Sequence, residues 1–250
     1  MHREISILKR AMVVANQIKT KIESFPEGYV FSLADFDLEG NSEIALAKLL
    51  SRMATKGEIC RASKGKYYKP RNTIFGMIGP AYNELVKEFL IKDGIMVGYV
   101  TGTAAFSEMG LTTQITQELL IGTNKYRRPL MRNGYKVRFL KQDNVITEEN
   151  VELLRLLDAI RLIREIPAVT PDDACKTLMG LMQMLTDERR SEMELLALKY
   201  TNYVRAMAGA MFEEIGVEAP LLRSSLNWTS SYAIPVSERV LPSKRNWRIV

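Results

Sequence analysis

Apolar and polar positions in residues 41–70 predict a helix followed by a basic hairpin. Four apolar residues recur at three- and four-residue intervals, the spacing of a half-buried helix: Leu46, Leu49, Leu50 and Met53. The opposite side of this helix is polar and basic. Gly57 is placed to end the helix in a left-handed conformation. Short strands at residues 58–61 and 66–69 then flank the turn at residues 63–65.

The preceding residues show the same helical spacing. Six apolar side chains predict a first amphipathic helix of roughly five turns: Ile5, Leu8, Met12, Ala15, Ile18 and Ile22. Residues 25–28 end it, residues 29–31 predict a short strand, and Ser32 is placed to cap a brief helix. Asn41 or Ser42 caps the next helix. This order of helix, strand, helix, helix, strand, turn and strand is that of a winged helix-turn-helix.

The pattern after the hairpin predicts a linker and then a small mixed α/β unit. Glycine and proline mark the linker at residues 72–78, and a helix follows at residues 81–92. A short helix in the unit stops at Gly110. Three strands are predicted within the unit: residues 96–100, 118–122 and 136–140.

Amphipathic helices account for most of the remaining chain. One helix is predicted at residues 151–163, and another begins at Pro171 with two carboxylates at the positive end of its dipole. The longest predicted helix spans residues 187–215. The tail from Ala219 is predicted to be extended, with enough apolar residues to pack on the body. Three methionines are predicted to fill the core: Met179, Met182 and Met184.

Charge is unevenly distributed along the 250 residues, whose net charge is +6. Residues 1–71 carry thirteen Lys and Arg against eight Asp and Glu, whereas residues 142–215 carry eight against fourteen. A basic front and an acidic helical block suit a protein with one face for phosphate and another for a different partner. Acidic helices can equally serve only to keep a surface hydrated.

Several classes of protein are disfavoured by the sequence. It contains no apolar stretch of the eighteen or more residues that a membrane-spanning helix needs. The first four residues, Met1 to Glu4, are followed by no apolar signal core. Cys60 and Cys175 make neither a disulfide framework nor a zinc site. The sequence therefore predicts a cytoplasmic protein without membrane contact.

The sequence contains no set of acid, base and nucleophile residues that could act together in catalysis. His2 is the only histidine in the sequence, so no Ser-His, Cys-His or histidine–metal site can be assembled. Asp35 and Asp37 have the D-x-D spacing of nucleotidyl transferases but lack the Gly-Ser turn that would hold a phosphate. Gly98 and Gly102 match no nucleotide-binding loop, and close strand–helix packing explains them. We predict a non-enzyme without catalytic residues, cofactor or metal.

Nine residues are candidates for contact with DNA. Polar side chains opposite the apolar stripe would face the major groove, and cations of the hairpin would contact phosphate. They are Ser42, Lys48, Ser51, Arg52, Thr55, Lys56, Lys64, Lys66 and Lys69. Tyr67 and Tyr68 alternate along a strand, which predicts that one is inward and the other exposed. A helix–hairpin unit can also be purely structural or bind proteins, and exposed cations can simply hydrate a surface.

The segment LAKLLSRMATKGEICRASKGKYYKP resembles the N-terminal winged helix of the AbiEi-like antitoxins of type IV abortive-infection toxin–antitoxin systems. The recurring pattern alxrLxkkGxIxrxxrGxYxxP of that family is matched by eight residues: Leu50, Arg52, Gly57, Ile59, Arg61, Gly65, Tyr67 and Pro70. The resemblance continues through GYVTGTAAFSEMGLTTQ, through ENVELLRLLDAIRLIREIP and through the closing LLRSSLNWTSSYAIPVSERVLPSKRNWRIV. This chain differs from shorter members in its middle unit and its proline-rich tail.

The resemblance implies an autorepressor that binds double-stranded operator DNA, with a second region that counters a nucleotidyltransferase-type toxin. In type IV systems the antitoxin need not bind the toxin directly, and many relatives are orphan regulators. We therefore predict an α+β protein, with an N-terminal winged helix-turn-helix at residues 1–72. A small mixed α/β unit and a helical C-terminal region follow at residues 73–250. The alternatives are a protein-binding adaptor and an orphan regulator, and homodimerisation on DNA is left open.

Overall fold

The computed structural model describes residues 14–36, 42–74, 76–227 and 229–250, and it shows an α+β protein. The chain forms two compact units. The first contains Met1–Lys87 and Arg132–Gly134, and the second contains Glu88–Met131 and Tyr135–Val250. The division falls inside a helix, whereas the sequence suggested one before residue 73.

The described residues of the first unit up to Tyr68 form two α-helices, a 3-10 helix and three short strands in the predicted order. Residues 14–24 are helical (α1), and the part of this predicted helix before residue 14 lies outside the described residues. The other elements are β1 (Val30–Ser32), a 3-10 helix (Leu33–Asp35), α2 (Ser42–Thr55), β2 (Cys60–Ser63) and β3 (Lys66–Tyr68). Gly57 has a φ of 75°, the left-handed conformation predicted for the residue that ends α2.

An antiparallel sheet of order β1-β3-β2 carries the core of this unit. On one face, side chains of α1, α2 and the strands form a buried apolar cluster: Ile18, Ile22, Phe31, Phe36, Leu46, Leu50, Met53, Ile59 and Tyr67. Burying this much apolar surface is the main force that holds short elements together.

The second face of the same sheet is also covered. Tyr67 and Tyr68 are both buried, so the prediction that one of them is exposed is wrong. The reason lies in the segment that follows the sheet. The Glu84 carboxylate accepts a hydrogen bond of 3.1 Å from the Val30 N–H, and Gly79 lies beside the Tyr68 hydroxyl.

Residues 72–78 were predicted to be a linker, but they form part of a hairpin. Arg71–Thr73 (β4) and Gly76–Ile78 (β5) pair antiparallel, and the Thr73 hydroxyl donates a 2.8 Å hydrogen bond to the Gly76 carbonyl. Ile74 at its turn is 94% exposed. The glycine and proline signals marked the ends of short strands and not an unstructured connection.

The next helix is shorter than the predicted one at residues 81–92. Helix α3 spans Tyr82–Leu90, after which Ile91–Lys92 (β6) and Ile95–Met96 (β7) form a second hairpin. Asp93 and Gly94 have φ values of 52° and 77°, and positive φ at both central residues is what a type I′ turn requires. The Asp-Gly pair was thus a hairpin signal that the helical reading overlooked.

A four-stranded sheet of order β10-β11-β9-β8 lies at the start of the second unit. Its strands are β8 (Gly98–Thr101), β9 (Glu118–Thr123), β10 (Leu130–Arg132) and β11 (Tyr135–Lys141). Strands β9 and β11 are parallel and β8 is antiparallel to β9. The positions of β8, β9 and β11 confirm the three predicted strands, shifted by a few residues, whereas β10 was not predicted.

Two glycines around β8 have the close packing predicted for them. A Cβ on Gly98 would lie 2.3 Å from the Phe89 carbonyl oxygen, and one on Gly102 would lie 3.0 Å from the Leu120 Cβ. The short helix α4, Thr103–Glu108, follows Gly102 and ends before Gly110, as predicted.

Helices complete the second unit. They are α5 (Val151–Arg161), α6 (Pro171–Met184), α7 (Asp187–Ala197), α8 (Asn202–Glu214), α9 (Pro220–Ser225) and a 3-10 helix (Pro242–Trp247). Met182 is buried and Met179 packs against the core, as predicted, but Met184 at the end of α6 is exposed. Among the described residues, no helix has the length and apolar character needed to cross a membrane.

The predicted helix at residues 187–215 is wrong, because α7 and α8 are separate. Thr201 is extended, with φ −64° and ψ 155°, and it precedes the first residue of α8. The break lets the Tyr200 side chain point into the core, while the Arg205 Nε donates a 2.9 Å hydrogen bond to the Tyr200 carbonyl. That hydrogen bond satisfies a carbonyl oxygen that the interrupted helix leaves without its usual partner.

The tail packs on the body, as predicted, although it includes α9 and the 3-10 helix besides extended segments. Trp247 is 1% exposed, and its Nε1 donates a 2.7 Å hydrogen bond to the Glu213 carboxylate. Its ring lies against α8 at Gly209, where a Cβ would come within 2.1 Å of the indole. Only glycine leaves room for this ring.

Candidate nucleic-acid interface

The exposed face of α2 carries two cations, Lys48 and Arg52. Lys48 and Arg52 are one helical turn apart and exposed, and Thr55 follows on the same side. Leu46 and Leu50 are buried on the opposite side. Neither the Lys48 nor the Arg52 side chain forms an ion pair with a residue that the structure describes. Their charges are therefore available to an external anion.

The other α2 candidates are less accessible or locally bonded. Ser51 is half-buried, and its carbonyl accepts a 3.0 Å hydrogen bond from the Thr55 hydroxyl. Lys56 is exposed just after the helix. Ser42 is the first residue of α2, but its side chain lies outside the described part of the chain. Of these six candidates, Lys48, Arg52 and Lys56 present the most accessible charge.

Ile44 is a residue of this face that the sequence analysis missed. It lies in the first turn of α2 and is 66% exposed. It precedes Lys48 by four residues, which places both side chains on one side of the helix. Extending the polar face one turn toward the N-terminus would have included it. The exposed face therefore has an apolar end and a cationic middle.

The β2–β3 hairpin contributes a second group of cations. Its turn contains Gly65 with a φ of 73°, which a glycine adopts without strain. Lys64 is exposed beside it, and Lys66 is half-buried at the start of β3. Arg61 of β2 lies over the Tyr67 ring at 5.5 Å and donates a 3.2 Å hydrogen bond to its hydroxyl. The hairpin thus holds cations on a short and well-packed support.

Lys69 has a different environment from the other lysines of the hairpin. Its Nζ donates a 3.1 Å hydrogen bond to the carbonyl of Glu23, in the last turn of α1. A cation at the C-terminus of a helix stabilises the carbonyl groups that have no partner inside the helix. Lys69 therefore joins β3 to α1, and its ammonium group is partly occupied by this contact.

A buried polar cluster that the residue pattern does not predict lies in the second unit. The Asp158 carboxylate of α5 accepts hydrogen bonds of 2.7 Å from the Tyr99 hydroxyl and 3.0 Å from the Tyr200 hydroxyl. The Gln142 amide donates to both hydroxyls, at 3.0 and 2.7 Å. Burial raises the pKa of the Asp158 carboxyl to about 6, and the two tyrosine hydrogen bonds offset part of that rise.

The geometry of this cluster indicates a structural role, because its polar atoms are buried and bonded to one another. Asp158 has no exposed surface, and its carboxylate oxygens are both used by tyrosines. Burial also raises the pKa of Tyr99 and of Tyr200, and the nearby Asp158 carboxylate adds to both shifts. All three side chains are thus held in one hydrogen-bonding arrangement that ties β8 to α5 and to the break between α7 and α8.

The carboxylates considered as metal or catalytic groups have other partners. Asp35 accepts hydrogen bonds from the Ser32 N–H and hydroxyl and from the Tyr29 hydroxyl, and Asp37 lies outside the described residues. Asp172 and Asp173 stand at the start of α6, as predicted. Hydrogen bonds from Ser237 lower the pKa of Asp172. In the described ranges no group of three or more His, Cys, Asp or Glu residues could hold a metal ion.

The cysteines are separate and differ in their surroundings. Cys60 is half-buried in β2, and Cys175 is buried in α6. Burial raises the pKa of the Cys175 thiol to about 12, so the reactive thiolate is scarce at neutral pH.

Comparisons with known proteins identify a family for this chain and a distant structural likeness. A family described as "Family of unknown function (DUF6088)" matches residues 17–179, more than half of the chain. No curated protein sequence matches. The crystal structure of the RV2827C protein from Mycobacterium tuberculosis is similar with a TM-score of 0.48 and 14% sequence identity. The similarity covers 90% of this chain and 83% of that one.

Proposed function

The chain belongs to the DUF6088 family, and we propose that it is a transcriptional regulator that binds double-stranded DNA through its first unit. The observation that carries the proposal is the exposed cationic face of α2. In this interpretation α1, α2 and the β1-β3-β2 sheet form a winged helix-turn-helix. Its recognition helix is α2 and its wing is the β2–β3 hairpin.

The dimensions and the chemistry of the two elements suit this function. An α-helix with its side chains is about 10–12 Å wide, and the major groove of B-DNA is about 12 Å wide. Arg52 has the planar guanidinium that recognises guanine through its O6 and N7 atoms. Lys64 at the hairpin turn would contact phosphate, which positions the protein without reading sequence.

A binding titration with full-length protein tests the proposal. Duplexes selected from a random pool are compared with scrambled duplexes at several salt concentrations. Arg52→Ala should cost about 1–3 kcal/mol on the selected duplex if the guanidinium reads a base edge, and less on the scrambled one. Lys21→Ala removes an exposed cation from α1 and serves as the matched control.

Three outcomes are informative in this titration. Equal losses for Arg52→Ala on both duplexes would make Arg52 a phosphate contact and retain DNA binding. Equal effects of Arg52→Ala and Lys21→Ala would remove α2 from the interface. Absence of binding to any duplex would contradict the proposal and favour the protein-binding adaptor.

Antitoxin activity is a second proposed function, supported by the resemblance to the AbiEi-like family. Two of the resembling segments, residues 98–114 and 149–167, supply β8, α4 and α5 of the second unit. They meet in the core, where Tyr99 bonds to Asp158. We propose that this unit counters a nucleotidyltransferase-type toxin, without requiring direct contact.

Cell growth distinguishes this second function from repression. The full chain, or its Arg52→Ala variant, is expressed with a neighbouring nucleotidyltransferase-type toxin whose promoter the protein does not control. Rescue of growth by both supports neutralisation by the second unit. Failure of rescue by the unsubstituted chain would contradict antitoxin activity and leave an orphan regulator.

A further inference from the structure

An open apolar groove lies between helices of the second unit, far in sequence from the proposed DNA-binding face. It has a volume of about 470 Å³ and is lined by α4, α5 and the end of α6. Its apolar lining comprises Met109, Val151, Leu156, Leu181, Met184 and Leu185. Met184 is 75% exposed although it belongs to an amphipathic helix. The other apolar lining residues are buried or half-buried, so Met184 is the apolar side chain of the lining that is open to solvent.

Acidic side chains border this groove. Glu108, Glu148 and Glu152 contribute to its lining, and Arg155 is the cation among the lining residues. The Arg155 Nε donates to the Val100 carbonyl at 2.9 Å, and its Nη1 lies 3.4 Å from the Glu108 carboxylate. Glu148 is exposed and forms no ion pair with a residue in the described ranges. The groove therefore retains a net negative charge.

The first turn of α7 lies beside the acidic border and adds the exposed Glu188, whereas Asp187 is paired with Arg190. Arg189 lies 3.4 Å from the Glu152 carboxylate and donates to the Glu149 carbonyl, which brings the first turn of α7 beside the start of α5. Asp187 and Glu188 of that turn are exposed. The Arg189 and Arg190 charges are already used in pairs with Glu192 and Asp187, at 2.5 and 2.8 Å.

We infer that this groove binds a basic amphipathic helix of another polypeptide. An apolar stripe at i, i+3, i+4 and i+7 would occupy the apolar floor, and Lys or Arg beside the stripe would pair with the glutamates. Met109 and Met184 give the groove adaptable side chains of the kind that accept varied apolar partners. Charge complementarity selects a cationic partner over a neutral or acidic one.

Fluorescence anisotropy with a labelled peptide of leucine and lysine at helical spacing tests the inference on the full chain. Met184→Glu and Glu148→Lys should each weaken binding by roughly tenfold or more, because they remove apolar contact and acidic charge from the same groove. Leu195→Glu and Glu218→Lys change an exposed leucine and an exposed glutamate outside the groove and are the matched controls. They should leave binding unchanged.

A peptide of the same composition, scrambled so that no apolar stripe forms, distinguishes binding in the groove from non-specific attraction between charges. It should bind more weakly than the helical peptide. Equal binding of both peptides, or equal losses in groove and control variants, would overturn the inference. A fall in the molecular mass of the full chain in solution on Met184→Glu would instead identify a second copy as the occupant, and would also overturn it.

Discussion

Ile44 places an apolar side chain beside Lys48 and Arg52 on the exposed face of α2. The apolar feature of a base pair in the major groove is the thymine methyl group. If α2 is a recognition helix, its N-terminal residues contact base edges. We predict that replacing one thymine of a selected duplex by uracil weakens binding of the unsubstituted protein, because only the methyl group is lost.

The Ile44→Ala variant tests whether Ile44 is the residue that contacts the thymine methyl group. It should bind the thymine and uracil duplexes with equal affinity, and its loss on the thymine duplex should be about 1 kcal/mol. Scanning every thymine in turn by titration locates the contact. If the variant retains the same sensitivity to uracil as the unsubstituted protein, Ile44 does not contact a thymine, whereas DNA binding itself would stand.

Asp158 predicts a pH dependence of stability for the second unit. Its pKa is raised from 3.8 to about 6 in the folded protein, so the folded state binds its proton more tightly than the unfolded state. The stabilisation that the Asp158 carboxyl contributes is fully present when the pH is below its pKa in the unfolded protein. It is lost as the pH rises through its pKa in the folded protein. The change amounts to at most roughly 3 kcal/mol.

Asp158→Asn removes this titration. The free energy of unfolding should therefore differ between the variant and the unsubstituted protein by an amount that changes between about pH 4 and pH 7. The unsubstituted protein should become more stable relative to the variant as the pH falls through this window. Urea unfolding followed by tyrosine and tryptophan fluorescence measures it. A difference independent of pH would show that Asp158 keeps an ordinary pKa in the fold.

At the scale of elements, the β2–β3 hairpin should contribute phosphate contacts. We predict that Lys64→Glu with Lys66→Glu weakens binding to every duplex and lowers the slope of log affinity against log salt by roughly one unit per lost contact. The double variant Lys92→Glu with Lys199→Glu has the same change in charge, placed in the second unit. It controls for long-range attraction.

The measurement is a set of titrations at increasing salt on one selected and one scrambled duplex. An unchanged slope in the hairpin variant would place the hairpin away from DNA. Equal changes in the hairpin and control variants would assign the effect to net charge.

Elements with a continuous local pattern were predictable, and elements set by distant contacts were not. The apolar stripe from Leu46 to Met53 and the glycine at position 57 specify α2 and its end without help from the rest of the chain. The break at Leu198–Thr201 has no such signal, because the helical spacing continues through Tyr200 and Tyr203. What decides it is the buried Asp158, which lies some forty residues earlier in the sequence and bonds to Tyr200 at 3.0 Å.

At the scale of the whole molecule, the two units should respond differently to DNA. Amide hydrogen exchange on the full chain, with and without a selected duplex, should show slower exchange in α2 and in the β2–β3 hairpin. Exchange in α5 and α8 of the second unit should be unaffected. Protection confined to the second unit would contradict the assignment of DNA binding to the first.

The exposure of the candidate cations could be predicted from the sequence, because the helical and strand periodicities show which side of each element is polar. Lys48, Arg52 and Lys64 are exposed where the helical and strand periodicities placed them. Lys69 shows the limit of this reasoning, since its contact with the Glu23 carbonyl depends on how β3 approaches α1. The same limit applies to the acidic groove, because α4 precedes α5 and α6 in the sequence by a long segment that contains β9, β10 and β11.

The contact between Gly209 and Trp247 has a consequence for synthesis on the ribosome. The α8 face that receives the indole is made before the segment that fills it, so a nascent second unit exposes an apolar slot until Trp247 has emerged. The cluster from Ile18 to Tyr67 in the first unit depends on no residue so far downstream. Folding during translation should therefore proceed from the first unit to the second, with the interval before Trp247 the time of greatest exposure to aggregation.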